Sequence, residues 1–281
     1  MISGKGRMSN GESQQSITNA QMEYTNSCLR EAFNLTGRGR VRNLIRRSLL
    51  PQVITYRNVR IHLHPNDNFS EFAIWRKGRS PEELELSWLQ ENFAGKSLKV
   101  VDIGANFGLY SLFFASILGP DSQIYAFEPN PTMFERFQRN CRLNDFNNIE
   151  LSPFAISDKS GAASLSVELR GDTATNLGEA QLTDDPTHLD QSKYTSIPVQ
   201  TKTLVELPHL HGADYAKLDV EGHEAAILLP FLEIAEDQSL PRYLQLETVN
   251  LGDETDSLLA AISDRGYENV FQTRRNTIFN R

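Results

Sequence analysis

The run Val100-Val101-Asp102-Ile103-Gly104-Ala105-Asn106-Phe107-Gly108-Leu109-Tyr110-Ser111 constrains this chain more than any other segment. An apolar strand breaks into a glycine-turned loop and then enters a helix, a layout that brings a nucleoside-bearing cofactor against bare backbone. The next apolar run, Ile124-Tyr125-Ala126-Phe127, ends in Glu128 about twenty residues further on, where a carboxylate can accept both hydroxyls of a ribose. The two features together read as a cofactor-dependent enzyme.

Around this core the pattern alternates. Apolar runs at 98–102, 123–127, 149–151, 215–220 and 243–247 read as strands, and helical periodicity falls at about 108–118, 131–144, 223–233 and 254–265, with two closing strands near 267–271 and 277–280. Such alternation predicts an α/β fold, a parallel sheet with helices on both faces. Between strands at 162–168 and 197–201 lies a polar insertion, 170–195, carrying Thr173, Thr175, Asn176, Asp184, Asp185 and Lys193. Long loops in compact domains are often functional, so it is read either as an acceptor-binding lid or as a mobile surface loop.

The N-terminal third is different material. Residues 1–25 are rich in Ser, Asn, Gln and Gly and are expected to be disordered, because they bury too little to offset the entropy of ordering. Residues 26–96 are expected to form a helical and hairpin extension, and 97–281 the catalytic domain. The segment 37–50 mixes apolar and basic positions and stops at Pro51. It reads first as a short helix packed on the body with its arginines in water, and second as a weak membrane-surface or partner contact. Val53-Ile54-Thr55-Tyr56 and Val59-Arg60-Ile61-His62-Leu63 suggest a hairpin across Arg57-Asn58, and Ser80-Pro81 an N-cap and first helical position before Leu84, Leu86, Trp88, Leu89 and Phe93.

The spacing Asp102-x-Gly104-x-Asn106-x-Gly108 departs from the G-x-G-x-x-G fingerprint that admits a pyrophosphate, and there is no P-loop lysine. A cofactor with a charged amino-acid end, such as S-adenosyl-L-methionine, asks instead for close backbone approach and for polar groups around an ammonium and a carboxylate; Asp102 is suited to the ammonium. Four stretches carry a resemblance: Val-Asp-Ile-Gly-Ala-Asn-Phe-Gly-Leu-Tyr-Ser at 101–111, Ala-Phe-Glu-Pro-Asn-Pro at 126–131, Phe-Ala-Ile-Ser-Asp at 154–158 and Lys-Leu-Asp-Val-Glu-Gly-His-Glu at 217–224. In that order, over roughly residues 97–250, they resemble the FkbM-type family of S-adenosylmethionine-dependent methyltransferases. The resemblance implies a class I, Rossmann-like methyltransferase fold with a seven-stranded, mostly parallel sheet ending in an antiparallel strand. It also implies that Gly104, Asn106 and Gly108 line the methionine end with Asp102 behind them, that Glu128 binds the ribose, and that the loop near Ala155 flanks the adenine.

Asp219-Val220-Glu221-Gly222-His223-Glu224 follows a central strand, where open α/β sheets place their ligands. An alcohol acceptor must lose a proton during methyl transfer, and Asp219, Glu221 or His223 could take it. Glu221 and Glu224 could equally decorate the first turn of a helix, whose dipole favours acids. The same acids, with Glu247, could hold a divalent metal, but no complete ligand set is evident and no required metal is expected. His62, His64, His188, His209 and His211 do not converge.

The leading expectation is O-methylation of a hydroxyl on a sugar, glycolipid or small secondary metabolite. The lack of an Asn/Asp-Pro-Pro-aromatic motif argues against amino methylation of nucleobases or glutamine. A nicotinamide-dependent oxidoreductase would want G-x-G-x-x-G and a Tyr or Lys proton relay; a non-catalytic module of the same fold is the remaining alternative. A net charge of −8 disfavours nucleic acid as a partner, and the imbalance is sharper beyond residue 50, where 20 Lys and Arg face 33 Asp and Glu against 8 and 3 before it. Two cysteines, Cys28 and Cys141, give no disulfide framework, and no run of roughly 18 apolar residues or apolar leader is present, so a cytoplasmic protein is expected.

Overall fold

The computed structural model describes residues 10–37, 39–170, 173–174, 176–183, 185–188, 190–249 and 254–281. They fall into two compact units. The first holds the described residues up to Tyr56 together with Arg60–Pro81; the second holds Arg57–Val59 and Glu82–Arg281.

The first unit contains helices α1 (Asn10–Leu35), α2 (Gly39–Arg47) and α3 (Phe69–Lys77) and the hairpin strands β1 (Gln52–Tyr56) and β2 (Val59–Leu63). The hairpin turn places Arg57 and Asn58 at φ 47° and 65°, the pair of positive angles that matches the right-handed twist of the flanking strands. Phe33 meets Phe72 edge-on at 5.4 Å, and Phe72 stacks on Trp75 at 5.6 Å. Arginines cover this cluster: Arg42 and Arg76 lie over Phe33, and Arg46 over Phe72. Helix α2 buries none of its residues, yet Arg42 also donates to the Thr36 carbonyl and Arg46 to that of Pro65. These two arginines therefore hold chain and rings together, where free solvation was expected. The segment expected to be disordered through residue 25 is helical from Asn10, continuous with a stretch that Asn26 fixes through the Leu50 carbonyl and Gln52; residues 1–9 lie outside the described residues.

The second unit starts earlier than the expected boundary at 97. Helix α4 (Glu83–Phe93) buries Leu86, Leu89 and Phe93; Trp88 stacks on Phe271, and the Glu85 carboxylate accepts from Thr273 and Asn276. Ser80 does not cap it. The cap is Glu82, and the Ser80 N–H donates to the Tyr56 hydroxyl instead.

After α4 come β3 (Lys99–Ile103), α5 (Leu109–Ile117), β4 (Gln123–Phe127), α6 (Pro131–Leu143), β5 (Ile149–Ser152), β6 (Phe154–Ile156), β7 (Gly161–Arg170), β8 (Thr173–Ala174), β9 (Gln181–Thr183) and β10 (Tyr194–Lys202). The chain closes with β11 (Tyr215–Leu218), α7 (Glu224–Ile234), β12 (Tyr243–Glu247), α8 (Thr255–Asp264), β13 (Glu268–Gln272) and β14 (Asn276–Asn280). Seven strands form the main sheet in the order β13-β14-β12-β11-β3-β4-β5, with β14 antiparallel to both neighbours. Its central runs are apolar because helices cover both faces of a parallel sheet. The chain leaves β3 for β4 and β5 on one side and returns to β11 and β12 on the other, so a topological switch point falls beside β3, where such sheets bind ligands.

The described residues of the insertion include strands that pair with their flanks. β6, β10, β7 and β8 hydrogen-bond in that order, with β9 on β7, as a second sheet. Thr175 and Asp184 lie outside the described residues.

Candidate active site

Three adjacent strands, β4, β3 and β11, deliver Glu128, Gly104 and Asp219 from their carboxyl ends. The loop after β3 is anchored by the Gly104 and Ala105 N–H groups, which both donate to the Phe127 carbonyl at 3.0 Å. Gly104 sits at φ 74°, and a Cβ there would lie 1.9 Å from the Asp219 carbonyl oxygen. Only glycine permits this approach of loop to strand end. Asn106 is left-handed at φ 55°, a conformation Asn tolerates better than most residues, and its side-chain oxygen accepts from the Phe107 N–H at 2.8 Å. Gly108, at φ 92°, begins α5 with the Phe137 ring 2.2 Å from where its Cβ would be.

Glu128 is buried, and each of its oxygens accepts one backbone N–H, Oε2 from Asn106 at 2.7 Å and Oε1 from Asn130 at 2.8 Å. Burial pushes its pKa up to about 7, partly opposed by those two hydrogen bonds. A carboxylate offers about four lone-pair sites, so two remain for a ribose diol.

Asp102 lies behind the loop. It is fully buried, Oδ2 accepts from Ser111 at 2.6 Å, and Oδ1 is 3.8 Å from Lys217 Nζ. Burial raises its pKa, with Lys217 opposing. Lys217 itself is 3% exposed and reaches Asp219 Oδ2 at 3.1 Å. Burial works to lower its pKa, and the carboxylates of Asp219 and Asp102 reverse that, holding the ammonium above its ordinary range.

The turn after β11 carries the other candidates. Glu221 is left-handed at φ 55°. Glu224 is buried and accepts the Val220 N–H at 3.0 Å, closing the turn; burial raises its pKa. His223 precedes α7, with Nε2 3.4 Å from Ser157 Oγ and 4.0 Å from Asp158 Oδ1.

Gly104, Asn106, Glu128, Ala155, Asp219, Glu221 and His223 all line one cleft. Phe127, Met133, Phe154, Ile156, Leu165, Leu177 and Leu182 give it an apolar wall, to which the insertion contributes. Asp102 and Gly108 do not line it: Asp102 faces Ser111 and Lys217 behind the loop, and Gly108 packs against Phe137. A second recess opens beside the cleft, sharing Leu182, Val220, Glu221 and His223 with it and adding Ser166, Glu168, Gln181, Tyr194 and Arg275. Among the described residues no group of three or more His, Cys, Asp and Glu is placed to hold a metal ion, and Glu247 is paired with Arg275 at 2.8 Å.

Sequence reasoning passed over Lys217, although a lysine inside the otherwise apolar Tyr215–Leu218 was a visible anomaly, since buried charges need partners. It quoted Ser157 and Asp158 within the 154–158 stretch but gave them no role, since periodicity gives no signal for one.

The strand order, the buried acid ending the second parallel strand and the glycine loop packed on Asp219 build the class I, Rossmann-like methyltransferase fold. The lining suits S-adenosylmethionine: the apolar wall would take the adenine, the spare acceptor sites on Glu128 the ribose, and the Gly104–Asn106 backbone with Asp219 the amino-acid end. Residues 102–268 match the methyltransferase FkbM domain, and the chain belongs to that family. It is 27% identical over 141 residues to Methyltransferase 1 of Beauveria bassiana (strain ARSEF 2860), covering 46% of this chain and 56% of that protein, little more than half its length. It is 26% identical over 192 residues to Methyltransferase sdnD of Sordaria araneosa, covering 60% of this chain and 73% of that one. Among solved structures, precorrin-6y C5,15-methyltransferase from Geobacter metallireducens aligns with TM-score 0.41 and 15% identity over 73% of this chain and 93% of that one. Among the described residues, no helix is long and apolar enough to cross a membrane.

Proposed function

We propose that this chain transfers a methyl group from S-adenosylmethionine to a hydroxyl oxygen of a sugar, glycolipid or small metabolite. The observation that carries the reading is the junction of the two cavities: Glu221 and His223 line both the apolar-walled cofactor cleft and the polar recess beside it. The cofactor, when bound, supplies an electrophilic methyl on a sulfonium whose loss leaves a neutral thioether. The chain aligns the acceptor oxygen with that methyl, and good alignment is worth up to roughly 7–11 kcal/mol of barrier. Removal of the hydroxyl proton by a side chain contributes about 10²- to 10⁴-fold. Of the three candidates, Asp219 is paired with Lys217 at 3.1 Å, whereas His223 lines both cavities.

Transfer of labelled methyl groups from S-adenosylmethionine into a fractionated cell extract, followed by identification of the labelled molecule, tests the reading. Label appearing in an ether linkage supports it, and label on nitrogen or carbon overturns it. Titration with S-adenosylhomocysteine and with NAD separates it from an oxidoreductase; binding of NAD alone would sink it.

A further inference from the structure

The contacts of His223 settle more than its presence at the junction. Ser157 Oγ donates its hydrogen to Asp158 Oδ1 at 2.9 Å. With that hydrogen committed, the same oxygen can only accept from His223, whose Nε2 lies 3.4 Å away. The Nε2 atom must then carry the proton, and Asp158 Oδ1, 4.0 Å from it, faces any positive charge the ring acquires. In a neutral imidazole a protonated Nε2 leaves Nδ1 as the acceptor. Among the described residues Nδ1 has no protein partner, and the ring is about one-third exposed, at 35%. The 3.4 Å contact is long, and catalytic hydrogen bonds commonly tighten only when the reactants are bound.

We propose that Asp158, Ser157 and His223 form a hydrogen-bonded relay that holds His223 with Nδ1 unprotonated where the cofactor cleft meets the recess, so that it accepts the proton of an alcohol acceptor. This deepens the methyltransferase reading and rests on it. In the step, the acceptor oxygen forms a bond to the methyl carbon as the carbon–sulfur bond breaks and its electron pair stays on sulfur. The hydroxyl proton moves to Nδ1, leaving an ether, a neutral thioether and an imidazolium facing Asp158. The proton later leaves to solvent through the exposed ring. The other charged or titratable groups on the surrounding walls are Glu128 from the end of β4, Asp219 and Glu221 from the turn after β11, Glu168 and Tyr194 from β7 and β10, and Arg275 from the β13–β14 turn. Among the described residues the ring's polar contacts are with Ser157 and Asp158, which set its tautomer. Ser157 and Asp158 are positioning residues and His223 is the base.

The full chain, labelled with ¹⁵N-histidine and saturated with S-adenosylhomocysteine, provides the test, with His223→Gln assigning the ring signals. Wild type is expected to show an Nε2-bound proton slowed in exchange and a bare Nδ1. Ser157→Ala is expected to lose that slowed proton and Ser157→Thr, which keeps the hydroxyl, to retain it. A proton found on Nδ1, or a signal unchanged in Ser157→Ala, overturns the relay. With the extract fraction as acceptor, His223→Gln is expected to lower kcat by about 10²-fold or more, and Asp158→Asn and Ser157→Ala by on the order of tenfold, with KM for S-adenosylmethionine unchanged. A His223→Gln variant of wild-type kcat also overturns it. Failure of wild type to bind S-adenosylhomocysteine would overturn the methyltransferase reading itself, so the two failures are distinguishable.

Discussion

Replacing Glu128 with Gln is expected to cripple cofactor binding while sparing the fold at alkaline pH. The carboxylate accepts the Asn106 and Asn130 N–H groups with one oxygen each. An amide keeps one acceptor oxygen and turns an NH₂ toward the other side, so one backbone N–H and one ribose hydroxyl lose their partner. A hydrogen bond to a charged group is worth about 1.5–3 kcal/mol, so cofactor affinity should fall roughly 10- to 150-fold. Stability responds differently. The Glu128 pKa rises from 4.5 to about 7 in the folded chain, so the unfolded state ionises first as pH rises. The group's contribution is therefore fully present below pH 4.5 and lost as pH climbs to about 7, at an eventual cost of about 3 kcal/mol to the wild type. Gln escapes that cost but strands a buried N–H worth about 1–3 kcal/mol. Thermal unfolding should thus show the variant close to wild type at pH 8 and clearly weaker at pH 5. Calorimetric titration with S-adenosylhomocysteine should show wild-type affinity dropping as pH falls below 7, because the protonated acid is the poorer acceptor, and a flat profile for the variant. Binding within threefold of wild type, or loss of binding only together with loss of folding at pH 8, would refute the reasoning.

Gly104→Ala combines a left-handed backbone with a clash against the Asp219 carbonyl, and should abolish S-adenosylhomocysteine binding in the same titration, whereas Gly37→Ala, with open space around it, should bind as wild type. Lys217→Met leaves Asp102 buried without its cation; denaturant melts should report a loss of about 3–5 kcal/mol, largely restored when Asp102→Asn is added. Burial pushes the Cys141 thiol up to about 12, so a thiol reagent at pH 8 should modify the exposed Cys28 in the native chain and reach Cys141 only after denaturation. Arg275→Ala should lower the apparent affinity for the acceptor more than that for the cofactor, because Arg275 lines the recess and not the cleft; equal effects in steady-state kinetics would count against the recess as the acceptor's seat.

Much of the central sheet was legible because strands covered on both faces write themselves as unbroken apolar runs, as Tyr215–Leu218 and Gln123–Phe127 do apart from one polar residue each. Gly104 and Glu128 were legible because a close backbone approach and a buried acceptor each demand one residue type. Contacts between distant segments were not legible. Nothing local to Asp102 announces that Lys217 and Ser111 enclose it. Helix α4 reads as part of the extension until Glu85 meets Thr273 and Asn276, nearly two hundred residues on. The insertion reads as a loop because its strands are short and polar on one side, and nothing local says that Leu177 and Leu182 turn toward the cleft.

That second sheet ties together two properties usually considered separate. Its strand β6 carries Ala155 at the cofactor wall, β9 sends Leu182 to cleft and recess alike, and β10 carries Tyr194 at the recess, all joined by continuous hydrogen-bonded ladders. On the proposed reading, a lineage that remodels residues 161–202 for a new acceptor also reshapes the wall of the cofactor cleft, and swapping the insertion between relatives should move S-adenosylhomocysteine affinity along with acceptor choice.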